Sequence, residues 1–118
     1  MANTTPEVQR TEVAKQPVTM RISENVTKGQ ALTCAAVFMA SSGGYLSNDD
    51  SKSMVEAVRA SGLLLDKVKQ DSDPVYWNNL DKTFEVRTRE YTSYRQSSQL
   101  MSIFERDFNT CLNFIYYE

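Results

Sequence analysis

Hydrophobic and polar residues follow different patterns in successive parts of the chain. Residues 1–16 are mostly polar and have no apolar period, which predicts a flexible N-terminal arm. From residue 17 onward the apolar positions recur at regular spacings, mostly those of helices, so we predict one mainly helical domain over 17–118. The expected fold is a mainly α helical bundle with a short N-terminal strand and a long C-terminal helix.

The segment 18–23 alternates between apolar and polar residues, with Val18, Met20 and Ile22 separated by Thr19, Arg21 and Ser23. This period of two predicts a short strand with one apolar face. A lone strand needs a partner for its backbone groups, and a second copy of the same strand is one candidate.

The next segment predicts a helix over 28–42. Thr27 and Gln30 form a capping-box pattern, in which each side chain satisfies the backbone amide of the other residue. Residues 31–40 are small or apolar on every face of the helix. We therefore expect this helix to be buried, with neighbouring helices close to it.

A second helix is predicted over 48–70. Ser47 is suited to cap its N-terminus, and an apolar stripe at heptad-like spacing runs along it with Ser61 in the seam. Gly62 interrupts the helical pattern at a cost of about 1 kcal/mol relative to alanine. We interpret Gly62 as a bend or as a close helix crossing.

The chain beyond Pro74 contains neither glycine nor proline. Its large apolar residues share one seven-residue register, which predicts a helix of about 60 Å. That length exceeds the width of a small domain, so either the helix bends near Thr88–Ser98 or a second protomer covers part of its stripe. The residues 84–92 also alternate as a strand would, and we favour the helix.

Composition excludes several kinds of chemistry. The chain has no histidine, which excludes histidine-based nucleophile pairs, histidine general bases and mixed Cys/His zinc sites. Two cysteines are too few for a tetrahedral thiolate site. We therefore expect a protein that is not an enzyme and that uses no cofactor and no metal.

The cysteines and the chain's polarity suggest a location. Cys34 and Cys111 are each interpreted as a small buried apolar residue, because free cysteine is among the most buried residue types. No secretory signal and no apolar run long enough to span a membrane is visible. We expect a reducing, cytoplasmic setting without a membrane.

The aromatic residues of the C-terminal part suggest a function. We expect a non-enzymatic interaction or assembly protein, in which the long helix forms a homo-oligomer or docks on a protein partner. The alternative is that the same side chains only fill the core of one chain. The candidate anchors are Trp77, Phe84, Tyr91, Tyr94, Phe104 and Phe108.

Nucleic-acid binding is the alternative function. The order of a strand at 18–23, a helix, a glycine turn and a second helix ending at 70 resembles the ribbon-helix-helix family of DNA-binding dimers. That resemblance implies that Thr19, Arg21 and Ser23 face the bases. A second candidate surface is the segment 82–95, which mixes aromatic residues with the cations Lys82, Arg87, Arg89 and Arg95. The net charge of −2 argues against electrostatic binding of nucleic acid by the protein surface as a whole and leaves local binding open.

Overall fold

A computed structural model describes residues 19–43 and 51–118. The predicted arm at 1–16, the first residue of the predicted strand and the Ser47 cap lie outside these ranges. The elements in chain order are β1 (Met20–Ile22), α1 (Lys28–Ser42), α2 (Ser51–Gln70), a short 3₁₀ helix (Pro74–Tyr76), α3 (Trp77–Gln96), α4 (Met101–Leu112) and β2 (Ile115–Tyr117). The mainly α fold predicted from the sequence is confirmed.

Helix α1 is the centre of the bundle. It begins with the predicted capping box: the Thr27 hydroxyl accepts from the Gln30 amide, and the Gln30 side chain accepts from the Thr27 amide. Most of its residues are buried, and α2, α3 and α4 all pack on it. Helix α1 is therefore apolar on every face because neighbouring helices contact it on several sides, as we expected.

Helix α2 packs on α1 through small residues and two aliphatic side chains. Leu64 and Val68 are fully buried, and Ala60 lies one turn before Leu64. Ser61 lies in the seam as predicted, where its hydroxyl donates to the carbonyl oxygen of Ala35 at 2.7 Å. A serine is tolerated at this buried position because its polar group has a partner.

Gly62 is exposed on α2, and apart from its chain neighbours and the backbone of its own helix, no described atom lies within 4 Å of where a Cβ would be. No close crossing therefore requires glycine here, contrary to one of the two interpretations of this residue. Gly62→Ala should raise the free energy of unfolding by about 1 kcal/mol, because alanine restricts the unfolded chain and favours the helix. Urea denaturation of the two proteins would measure the change, and a loss of stability would contradict this account.

The C-terminal part forms two helices instead of one long helix. Helix α3 ends at Gln96, and Ser97 adopts an extended conformation before α4 begins at Met101. The Ser97 side chain accepts from the Leu100 amide, which offers the backbone an alternative to the helix. Both helices pack on α1, so the predicted bend is the alternative that occurs. Residues 84–92 are helical, as we favoured.

The partner of β1 is β2 of the same chain, and not a second copy of β1, which was one candidate. The two strands are antiparallel, with Met20 opposite Tyr117 and Ile22 opposite Ile115. Met20 is buried while Arg21 is exposed, so the alternation of the strand is confirmed there. The turn after α4 brings the apolar C-terminal residues beside β1, which explains why they are not a free tail.

Cys34 and Cys111 form a disulfide bond with their Cα atoms 5.4 Å apart. Both residues are buried, as interpreted, but the interpretation of them as free thiols is wrong. They are 77 positions apart in the sequence, and the bend after α3 returns α4 to α1 and brings them together. Disulfides persist mainly in oxidising environments, so the bond does not support the expected reducing setting. That expectation also rested on the lack of a visible secretory signal, and the cytoplasmic location stays a prediction.

Candidate interaction surface

Most of the predicted aromatic anchors lie in the core of the single chain. Phe104 is buried, and four others are half-buried against the core: Phe84, Tyr91, Tyr94 and Phe108. The ring of Phe108 lies edge-on to Phe38 of α1, with centroids 5.6 Å apart, and stacks with Phe104 at 5.9 Å. Packing within the chain is thus sufficient to explain these aromatic residues, and their contact with a partner stays a prediction.

Tyr91 joins α3 to α4 through a polar contact. Its hydroxyl donates to Oδ2 of Asp107 at 2.6 Å, while Oδ1 of the same carboxylate accepts from Arg106. Burial, followed by the hydrogen bond and the negative charge of Asp107, raises the pKa of Tyr91 well above its ordinary value. The hydroxyl therefore stays protonated and acts as a structural donor at neutral pH, with no sign of activation as a nucleophile.

Trp77 differs from the other anchors because it lies at an exposed turn between α2 and α3. We call the residues Val75, Tyr76 and Trp77 the Val75–Trp77 tip; they are 72%, 58% and 40% exposed. Asp73 caps the turn by accepting from the Val75 amide at 3.0 Å, and Pro74 fits its first position. Three consecutive large apolar residues are therefore presented to solvent at one end of the bundle.

The tip is held in place by contacts with the end of α2. The indole nitrogen of Trp77 donates to the carbonyl oxygen of Lys69 at 3.1 Å. The Lys69 ammonium lies 6.0 Å from the centre of the Trp77 ring and pairs with Asp81 at 2.8 Å. Because these contacts restrict the Trp77 ring before any partner is bound, less side-chain entropy would be lost on binding.

The candidate nucleic-acid cations of 82–95 divide between two faces of α3. Arg87 donates to the hydroxyl of Thr33 at 3.0 Å, and Arg95 donates to the carbonyl oxygen of Ala40 at 3.1 Å. Both arginines thus support α1, with Arg95 satisfying a carbonyl near its C-terminal end. Lys82 and Arg89 are exposed on the other face. The structure does not bring the four cations together on one surface.

The candidate base-reading residues of β1 have partners in the same chain. The backbone of Thr19 exchanges hydrogen bonds with Glu118, and Arg21 pairs with the carboxylate of Glu118 at 2.7 Å. The Ser23 amide donates to the carbonyl oxygen of Phe114, and its hydroxyl accepts from Asn25. The carboxylate beside Arg21 offsets the charge that a phosphate backbone would require.

No family model, curated protein or solved structure matches this chain. In the part of the chain that the structure describes, no helix is long and apolar enough to cross a membrane. Nor do three or more Cys, Asp or Glu side chains come together as a metal site within 19–43 and 51–118.

The Val75–Trp77 tip is therefore identified as the candidate surface from the exposure and contacts of its residues. The sequence identified Trp77 but missed Val75 and Tyr76, because they lie outside the seven-residue register of apolar positions. A signal for them exists in the sequence. Three large apolar residues directly follow Asp73 and Pro74, a pair that is typical of a surface turn and the start of a helix.

Proposed function

We propose that this protein is a non-enzymatic assembly protein that self-associates through the Val75–Trp77 tip. The observation that carries the proposal is the exposure of three adjacent large apolar side chains whose turn is already fixed by a cap and by contacts with α2. Aromatic residues are enriched at the centres of protein interfaces, where they supply most of the binding energy. Of the aromatic anchors expected from the sequence, the proposal keeps Trp77. It places the contact at the turn before α3 and not along the predicted long helix.

The charges around the tip favour a second copy as the partner. The Lys69 ammonium pairs with Asp81, the Lys67 ammonium lies 3.6 Å from the Asp71 carboxylate, and the Asp73 carboxylate accepts from the Val75 amide. Both lysines and all three carboxylates are thus engaged within the chain, which limits like-charge repulsion when two copies bring the same surface together. An isologous contact of this kind closes as a dimer and needs no other protein.

Sedimentation equilibrium over a range of protein concentrations tests the proposal. The wild-type protein should form dimers, and the double variant Val75→Ser, Tyr76→Ser should weaken the dimer about tenfold or more, equivalent to about 1.4 kcal/mol. The double variant leaves Trp77 and its hydrogen bond to α2 in place, so the fold is expected to persist. Circular dichroism would confirm that helicity is unchanged.

Val86→Ser is the matched control, because Val86 is 49% exposed on α3 and lies outside the tip. It should leave the dimer dissociation constant unchanged. A wild-type protein that is monomeric at every concentration would overturn self-association. A dimer that is equally weakened by Val86→Ser would show that another surface is responsible.

A further inference from the structure

A cleft opens beside the first half of α2, at the end of that helix opposite the Val75–Trp77 tip. Its volume is about 170 Å³, and its walls include the apolar side chains of Met20, Phe38, Phe108 and Ile115. Helices α1 and α4 and both strands thus contribute to it. None of the contacts that support the proposed dimer surface involves this cleft.

Small residues on α2 create the space. Ala57 and Ala60 line the cleft one turn apart, and both are buried. A larger side chain at either position would fill the volume that faces Phe38 and Phe108. For comparison, an apolar cavity of about 150 Å³ in another protein stays dry and binds benzene. The volume and the aromatic walls therefore suit one phenyl ring or a small branched alkyl group.

The polar side of the cleft carries a carboxylate. Glu56 and Tyr117 both line it. Burial, followed by the negative charge of Glu56 and a hydrogen bond to it, raises the pKa of Tyr117 above its ordinary value. Tyr117 is thus a neutral donor beside the Glu56 carboxylate, which keeps further acceptor positions for a second donor. Arg59 lies close enough to Tyr117 to oppose this shift, but it does not line the cleft.

We propose that this cleft binds a small organic primary amine, with its ring or branched alkyl group between Phe38 and Phe108 and its ammonium group at Glu56. Among the described residues, the polar ones that line the cleft are Ser53, Glu56 and Tyr117, and Glu56 is the charged member of these three. An ammonium group is therefore favoured over a neutral or anionic group. The apolar walls would bury the ring or alkyl group of the ligand, and the Glu56 carboxylate would favour a positively charged ligand.

A titration of the ¹⁵N-labelled full chain followed by NMR tests this site. The probes are benzylamine, benzyl alcohol and benzoate, which share a phenyl ring and differ in charge. Benzylamine should bind most tightly and benzoate most weakly, with amide shifts concentrated at residues 53–60 and 115–117. Glu56→Gln should weaken benzylamine binding about fivefold and leave benzyl alcohol unchanged, because only the charged contact is removed.

Two further variants keep the result interpretable. Arg59→Gln removes a neighbouring cation and should strengthen benzylamine binding, so it has the opposite sign to Glu56→Gln. Ala57→Leu should block all three probes by filling the cleft. Equal affinity for the three probes, no binding of benzylamine, or benzylamine binding that is insensitive to Glu56→Gln would overturn the proposal. None of these outcomes depends on the dimer, because the tip variant Val75→Ser, Tyr76→Ser should bind benzylamine normally.

Discussion

Replacing Cys34 and Cys111 together by alanine is expected to lower the free energy of unfolding by about 4 kcal/mol. The two residues are 77 positions apart, so their bond removes a large amount of conformational freedom from the unfolded chain. The bond also ties the last turn of α4 to the middle of α1. Because a domain of this size has a total stability of about 5–15 kcal/mol, the loss is a large fraction of the whole.

Urea denaturation of three samples measures this effect: the oxidised protein, the protein held reduced, and the double alanine variant. The reduced protein and the double variant should have similar, lower stabilities, because both lack the covalent constraint. Titration of thiols in the unfolded, unreduced protein serves as the control and should find no free thiol. Two free thiols in the purified protein, or identical stability with and without reductant, would contradict the prediction.

Leu64→Ala should destabilise the protein by about 3 kcal/mol, because it removes a fully buried side chain and leaves a cavity between α2 and α1. Leu65→Ala is the matched comparison and should cost about 1 kcal/mol, since Leu65 is only partly buried. The two leucines are adjacent in the sequence and identical in chemistry. The difference between them therefore reports which face of α2 is packed.

Thermal or urea unfolding of the two leucine variants gives the comparison, with helicity at low denaturant as the check on folding. Equal losses for Leu64→Ala and Leu65→Ala would indicate that α2 is rotated relative to its described position. A larger loss for Leu65→Ala would indicate that a partner covers that face in solution.

Local patterns were sufficient to predict the first two helices. The capping box at Thr27 and Gln30 depends on residues three positions apart, and the burial of α1 follows from apolar residues on all its faces. The seam position of Ser61 follows from the heptad-like stripe of α2. Each of these features is decided by neighbours in the sequence or along one helix.

The features that were missed depend on contacts between distant parts of the chain. The seven-residue register of apolar positions continues on both sides of Ser97, so the periodicity does not reveal that α3 ends at Gln96. If α3 and α4 formed one straight helix, Cys111 would lie far from Cys34, and β2 would lie far from β1. A bend was only one of two alternatives predicted from the sequence, and the bend after α3 accounts for the missed disulfide and for the missed strand partner.

The candidate surface shows the same division. Arg87 and Arg95 read as part of a cationic segment, but their hydrogen bonds to Thr33 and Ala40 exist only because α3 packs on α1. Trp77 was identified from its residue type, whereas its orientation depends on Lys69 in the preceding helix. The sequence shows which side chains can donate or accept hydrogen bonds, but it does not show which residue of another helix will be their partner.

The pairing of β1 with β2 has a topological consequence. Thr19 and Glu118 exchange backbone hydrogen bonds, so the first and last described residues lie side by side. The polypeptide from 19 to 118 is therefore close to a circle: a few linking residues between these two positions would close it without moving any helix. Within that circle the disulfide is a chord, which divides the backbone into one large loop containing α2 and α3 and one small loop containing both strands.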